Sequence, residues 1–434
     1  MRTGRAFVSL AGVSRSAMLA GVGVIFVLLS GAVAQAQTFS VIHNFSGGLD
    51  GATPYTGLTV DRAGNFYGTT YAGGSRHLGT VYRLKRAGSG WIAEGLYSFS
   101  GGPNDGLEPL SRVIFGPDGS LYGTASAGDS CGALGCGIVF QLRPPATFCR
   151  SVTCPWTESV LHFFAGPVEN DGEYPSGELF FDQAGNLYGT TLLGGSFSGI
   201  VYELSRSGNS WTESIVHSFV SGGGYAPYGG LIADNAGNLY GTTQNGGVDF
   251  AGTVFKLTNS GSGWTYSLPY VFQHGNDGGY PNAGLIFDGA GNLFGATSAS
   301  GAGGGGTVFE LSPSGDSWTY TLLHSFNGSI GEYGCPDPGN QRYAVPGPSA
   351  ALTMDAAGNL YGTTLCDGDN QLGSVFKLTP SAGGWTFTSL HDFTGGADGA
   401  YPLSNVTLDA NGNLYGTASG GGSQGNGVVW EITP

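Results

Sequence analysis

Charge is scarce in this chain, and basic charge scarcer still. Asp, Glu, Lys and Arg make up only 10% of 434 residues, with 15 Lys and Arg against 30 Asp and Glu. Three of the basic residues, Arg2, Arg5 and Arg15, precede position 36, whereas every acidic one follows it. Residues 37–434 therefore carry 12 basic against 30 acidic groups, a net −18. No basic run remains, which excludes nucleic acid or an anionic membrane surface as partner and leaves neutral glycans, cations and other proteins. After residue 36 there is no bilayer-length apolar run and no helical periodicity. Signatures of catalysis are missing as well: no H-E-x-x-H, no G-x-x-x-x-G-K-[ST], no G-x-S-x-G at a strand-to-helix turn, no C-x-x-C. The paired carboxylates of a glycoside hydrolase leave no linear signature, so that chemistry stays open.

Glycine, by contrast, is abundant, at 82 residues. Glycine alone would point to disorder, but aromatics reach 12% and hydrophobics 40%, too much apolar material for a disordered chain. Many tight turns between short apolar strands satisfy both facts. The first 36 residues read as an export signal. A basic stretch precedes the uncharged apolar run from Ala17 to Val33, and Ala34-Gln35-Ala36 is an A-x-A cleavage site that would leave Gln37 as the mature start. The alternative, an N-terminal membrane anchor, is weaker because small residues and a cleavage site end the run. No Cys follows the apolar stretch and no adjacent Arg pair precedes it, which disfavours a lipoprotein anchor and the twin-arginine route.

One string recurs seven times. D-x-x-G-N-L-Y-G-T, with single replacements such as Phe66, occupies Asp61–Thr69, Asp182–Thr190, Asp234–Thr242, Asp355–Thr363 and Asp409–Thr417. A sixth copy, Asp288–Ala296, ends in Ala, and a seventh diverges around Asp118 to Thr124. The central glycines are Gly68, Gly123, Gly189, Gly241, Gly295, Gly362 and Gly416, separated by 52 to 67 residues. A period of this length with four strands per unit predicts an all-β, seven-bladed β-propeller, one domain over residues 37–434. In one clean copy strand A is 230–234, strand B 239–243, strand C 252–257 and strand D 264–272, marked by alternation and β-branched or aromatic residues.

Six D strands open with Trp91, Trp156, Trp211, Trp264, Trp318 or Trp385, each eight residues before Phe99, Phe164, Phe219, Phe272, Phe326 or Phe393. The even spacing predicts both rings on one face, packed against the next blade. The seventh D-like strand, 38–45, lies at the front of the chain. It is expected to pair with strand C of the last blade (427–432), closing the ring and removing an exposed edge.

D-x-x-G-N-L-Y-G-T, then G-T-V-F-K-L, then W-T-x-S-x-L-H-x-F together resemble the GloVer-type bacterial tandem repeat, over essentially all of residues 38–434. More distantly the blade is similar to the NHL type, whose members include binders and enzymes. The resemblance implies export, often with a C-terminal surface anchor. Nothing follows the last strand here, so release or non-covalent retention is the expectation. It implies no activity and no catalytic residues.

Candidate residues follow from the pattern and its breaks. His43, His162, His217, His324 and His391 share one position of strand D. Spread around the rim, they read as structural; His77 and His274 fall on separate blades, 1 and 5. Asp50, Asp105, Asp171, Asp277 and Asp398 stand in Asp-Gly turns before strand A, most of them G-x-D-G, on loops that open at one face. They could ring the channel mouth and hold a calcium ion or a polyol. The plainer reading, favoured because the residue repeats, is that Asp-Gly makes the turn. Blade 6 breaks the repeat with a long insertion, 327–349, carrying Glu332, Tyr333, Arg342 and Tyr343, beside a B–C loop with Asp367 and Asp369. This is either a binding lip or a tolerated insertion.

Six cysteines in an exported chain read as disulfides. Their loop positions favour Cys131–Cys136, Cys149–Cys154 and Cys335–Cys366; free thiols are the other reading. No catalytic residue, resident metal or cofactor is expected, calcium being the one candidate ion. The sequence thus predicts a secreted, periplasmic or cell-envelope binding or scaffold propeller that contacts a glycan or an extracellular protein. The alternatives are an extracellular carbohydrate-active hydrolase or lyase using top-face acids, and a structural envelope component.

Overall fold

The recurring glycine explains how a blade is built. In the computed structural model, which describes residues 37–128, 136–145, 155–208, 210–328 and 346–434, each central glycine pairs across the ladder with an aromatic residue of strand C. The seven pairs are Gly68 with Tyr82, Gly123 with Phe140, Gly189 with Tyr202, Gly241 with Phe255, Gly295 with Phe309, Gly362 with Phe376 and Gly416 with Trp430. The ring lies flat over the glycine. A Cβ on Gly68 would stand 2.5 Å from the Tyr82 hydroxyl, and one on Gly416 2.3 Å from Trp430. The glycine is there to give the ring room.

Blade 4 shows the unit: strand A Ile232–Ala233, B Leu239–Thr243, C Thr253–Asn259 and D Trp264–Val271, all antiparallel and in that order across the sheet. Strand B falls where the sequence predicts it. Strand A is shorter, two residues, because the chain before it leaves the ladder to pass close to its neighbours. A Cβ on Gly229 would meet the backbone of Ala283 in the next blade at 2.8 Å. Six further sheets repeat the order, giving an all-β, seven-bladed β-propeller.

The turn between A and B is tied by its aspartate. Asp61 Oδ1 accepts the backbone N–H groups of Ala63 and Asn65, and its Oδ2 accepts Asn65 Nδ2 and the Tyr67 hydroxyl. The same knot recurs at Asp234, Asp355 and Asp409. Burial pushes these carboxyls up, but the converging donors outweigh it and hold all four below the usual carboxylate value.

The Trp and Phe of strand D do not share a face, which corrects the expectation from their spacing. Every C–D ladder carries a register shift opposite the C-strand aromatic, as between Val81 and Tyr82 and between Val201 and Tyr202. The others lie at equivalent positions in blades 2 and 4–7. One extra residue in the strand turns the eight-residue interval into an odd one. Trp156 therefore reaches back to Tyr67 of blade 1, at 6.2 Å between ring centres, while Phe164 reaches forward to Tyr202 of blade 3, at 5.0 Å. Seven buried clusters form this way, each made from two adjacent blades.

Closure obeys the same rules. Thr38–Asn44 pairs with Val428–Thr433, from Thr38 opposite Thr433 to Asn44 opposite Val428. Phe45, fully buried, packs edge-on against Tyr82 of blade 1 at 5.0 Å. Hydrogen bonds join blade 7 to blade 1 from Thr407 Oγ1 to the Leu58 carbonyl and from Thr417 Oγ1 to the Thr56 carbonyl. The latter repeats a contact made at other interfaces by Thr69, Thr190, Thr242 and Thr363.

Candidate functional site on the loop face

The antiparallel order A-B-C-D sends the A–B and C–D turns to one end of the ring and the B–C and D–A loops to the other. Six blades stitch these two loops together through short bridges: Ala52 with Ala72, Gly106 with Gly128, Gly172 with Gly194, Tyr225 with Asn245, Gly279 with Ala299 and Ala400 with Gly420. The loops thus form one continuous, backbone-braced face.

The five turn aspartates lie on this face, one per blade. Each is pinned by the end of the preceding strand D. Asp50 Oδ2 accepts the Ser46 N–H and lies 3.1 Å from His43 Nε2. Asp398 repeats this with Thr394 and His391, Asp171 with Ala165 and His162, and Asp277 with Gln273 and Tyr270. Asp105 accepts from the Ser100 N–H and hydroxyl and from the Gly106 N–H. The structure therefore places these carboxylates as turn locks against the outer strand of each sheet, and does not bring them together.

In blade 6, Asp367 is half-buried and Asp369 exposed. Burial pushes the Asp367 carboxyl up, and nearby Asp392 adds to this against the pull of the Gly368 N–H. Glu332, Tyr333, Arg342 and Tyr343 lie outside the described residues, as do Cys131, Cys149, Cys154 and Cys335. Cys136 and Cys366 are both buried, and neither is a free thiol.

The strand-D histidines build the rim. Each packs edge-on against the Phe two residues later, from His43 on Phe45 to His391 on Phe393. Three also stack face to face on an aromatic ring of the following blade: His217 on Tyr266, His324 on Phe387, His391 on Phe39. Burial holds His43, His217, His324 and His391 below the usual imidazole value. His77 and His274 are not brought together; His274 Nδ1 meets Ser300 Oγ at 3.1 Å.

Two features escape the sequence reading. The first is a pair of glutamates, Glu158 and Glu213, standing where blades 4–7 carry the stacking Tyr266, Tyr320, Phe387 and Phe39. Glu158 neighbours Asp105. Burial first, then that second carboxylate, push it from 4.5 up to about 8. Glu213 is also pushed up, by burial and by Asp171, with His162 pulling the other way. Each has a solvent-shielded Oε1 without a hydrogen-bond partner. The signal was the string W-T-E-S, which stands in blades 2 and 3 where blades 4–6 have W-T-[YF].

The second feature is apolar. Val168, Phe197, Val220, Val248 and Phe250 project from B–C and D–A loops of blades 3 and 4, from 57% to 88% exposed. Phe197 and Phe250 hold φ values of 65° and 59°, the left-handed region that non-glycine residues enter at a cost. No other B–C loop carries an aromatic residue or a valine at these places, so the departure was visible in the sequence once the loops were aligned.

A ring of seven four-stranded sheets with a braced loop face defines a β-propeller built from tandem repeats. The chain belongs to the Gloeobacter/Verrucomicrobia repeat family, which matches residues 8–154, 152–341 and 339–434. Among solved structures it is similar to an extracellular domain described as that of a hybrid two-component system from B. thetaiotaomicron. The two share 12% identity at a TM-score of 0.52, over 91% of this chain and 39% of that one, so this chain spans well under half of that domain. It is also similar to a protein described as a 6-phosphogluconolactonase from Bacteroides uniformis. There the identity is 14% and the TM-score 0.46, over 78% of this chain and 84% of that one. At 12% identity the first likeness is one of fold alone. No curated protein matches the chain. No helix among the described residues is long and apolar enough to cross a membrane.

Proposed function

We propose that the protein is an exported binding propeller that holds an extracellular protein partner on the loop face of blades 3 and 4. The carrying observation is a set of large apolar side chains, Val168, Phe197, Val220, Val248 and Phe250, exposed on the loops of two adjacent blades. Exposed apolar groups gathered in one region mark contact surfaces, and aromatic anchors held by a rigid scaffold lose little entropy on binding. Export through residues 1–36 and stapling of the loops by Cys131–Cys136, Cys149–Cys154 and Cys335–Cys366 belong to this proposal. Blade 6, with Asp367, Asp369 and its 327–349 insertion, does not adjoin blades 3 and 4 and would serve a separate contact.

The test compares the wild-type protein with Phe197→Ser/Phe250→Ser, both immobilised and exposed to the producing cell's extracellular proteins and to a polysaccharide panel. Retention of one protein by the wild type and its loss from the double variant is expected. Equal retention by both would overturn the assignment of this face. Release of new sugar fragments would make the protein a carbohydrate-active enzyme instead.

A further inference from the structure

The outer rim offers an internal comparison, because two positions face each other at every blade interface: the strand-D His or Tyr, and the residue six before the strand-D Phe of the next blade; at five of them a turn Asp stands beside the first. At four interfaces the second position is aromatic and stacks: Tyr266 on His217, Tyr320 on Tyr270, Phe387 on His324 and Phe39 on His391. Ala93 takes the place beside blade 7 and Glu158 beside Tyr97. Only between blades 2 and 3 does the ring combine an imidazole with two carboxylates: His162, Asp171 and Glu213.

From this juxtaposition we infer that His162, Asp171 and Glu213 hold a divalent transition-metal ion of the zinc class. One donor atom from each lies within 4.8 Å of the other two, and they are the only such group of three among the described residues. His162 Nε2 and Asp171 Oδ2 are 3.2 Å apart. Donors at zinc–ligand distances of about 2.0–2.2 Å sit about 3.3 Å from each other in a tetrahedron, so this pair already has the spacing. Glu213 completes it by a shift of no more than about 1.5 Å, small for a side chain with three rotatable bonds.

Asp171 is held for the task. The Gly172 N–H donates to its Oδ1 at 2.6 Å and the Ala165 N–H to its Oδ2 at 2.8 Å, the kind of outer support that orients a metal-binding carboxylate. Glu213 supplies the second, independent observation. Its Oε1 is shielded from solvent yet has no hydrogen-bond partner, a costly state that a cation in reach relieves. His162 and Asp171 stay 20% and 14% exposed, which leaves a way in from solvent.

The donor set chooses the metal. One imidazole nitrogen and two carboxylate oxygens suit zinc and its neighbours, whereas calcium asks for six to eight oxygens. Three protein ligands leave the fourth position to water. The neighbouring Tyr97–Asp105–Glu158 group has the two acids without the imidazole and serves as a control within the molecule.

The experiment is metal titration of the exported protein, stripped with chelator, by calorimetry with Zn2+ and with Ca2+ separately, together with elemental analysis after dialysis. Variants are Glu213→Gln, Glu213→Tyr and a His77→Gln control. Glu213→Tyr restores the ring that stacks on histidine in blade 4, so it keeps the rim packed while removing a ligand. One zinc per chain in the wild type and the control is expected. Affinity should fall at least about tenfold in both Glu213 variants, the scale on which even supporting groups of a metal site count, while their melting without metal stays cooperative. Absence of zinc binding, preference for Ca2+, or unchanged zinc affinity in the Glu213 variants would overturn the inference. In those cases the group is a structural part of the rim.

Discussion

Replacing Phe45 by Ala asks whether the ring is closed in energy as well as in geometry. Phe45 follows the N-terminal strand, is fully buried, and contacts Tyr82 across the seam between blades 7 and 1. Phe219 is its equivalent in mid-chain, also fully buried, and contacts Phe255 at 5.1 Å. Removing either phenyl group loses about 1.5–3 kcal/mol of burial. The cavity left in a packed interface brings the total to about 3–5 kcal/mol. If the seam is an interface like the other six, Phe45→Ala and Phe219→Ala cost the same within about 2 kcal/mol, the spread seen at fixed chemistry, part of which comes from the Tyr266 ring beside Phe219 where Phe45 has Ala93. Urea unfolding followed by tryptophan fluorescence and circular dichroism measures both, and coincidence of the two probes tests cooperativity. Suppose Phe219→Ala costs about 4 kcal/mol and Phe45→Ala less than about 1 kcal/mol. The N-terminal strand would then be an ornament on an open stack, and the closure argument would fail. Deleting Gln37–Ser46, which also removes the ladder to Val428–Thr433, is expected to cost more than Phe45→Ala alone.

Three further outcomes follow from the buried acids and the cysteines. Glu158 is pushed up to about 8, so the folded state keeps its proton between pH 4.5 and 8 while the unfolded chain has lost it. Its contribution therefore falls as pH rises through that window. After allowance for solvent screening, Glu158→Gln gains about 1–2 kcal/mol at pH 8 and flattens the profile, and a loss at pH 8 in chemical denaturation would contradict this. The lowered carboxyls of Asp61, Asp234, Asp355 and Asp409 act in the opposite direction. Their stabilisation is present above the unfolded value of 3.8 and disappears as pH falls below it. Asp355→Asn should thus cost about 0.5–1.5 kcal/mol at pH 7 and much less at pH 3, read from urea midpoints at the two pH values. Peptide mapping without reduction is expected to find Cys131–Cys136, Cys149–Cys154 and Cys335–Cys366, and any cross-link between blades 2 and 6 would refute the loop placement.

The repeat made the architecture legible. D-x-x-G-N-L-Y-G-T specifies its own turn, because Asp supplies the acceptor and Gly and Asn the backbone freedom. Gly241 and its equivalents mark strand B because a ring covers them. The sides chosen by Trp156 and Phe164 were not legible: a single extra residue in strand D reverses the parity of everything beyond it and leaves no mark in composition. The turn aspartates were readable as residues but not in their partners, since His43 and Asp50 come together only when strand D ends where it does. Glu158 and Glu213 were hidden for a different reason. They sit in the most regular part of the repeat, and their meaning depends on which ring faces them from another blade. The apolar loops of blades 3 and 4 differ from their counterparts one residue at a time, so they show only when all seven copies are compared.

The offset between strand D and the rest of its blade also bears on how such a protein changes over generations. One copy of the repeat, read from strand D through A and B to C, contributes its first strand to one sheet and its last three to the next. Duplicating or losing a whole copy therefore never leaves half a sheet behind, and the seam is rebuilt each time from strands of the same kinds. Copy number can drift by recombination between near-identical segments without any new interface being invented. Loops such as those of blades 3 and 4 meanwhile diverge freely on a frame that does not notice them.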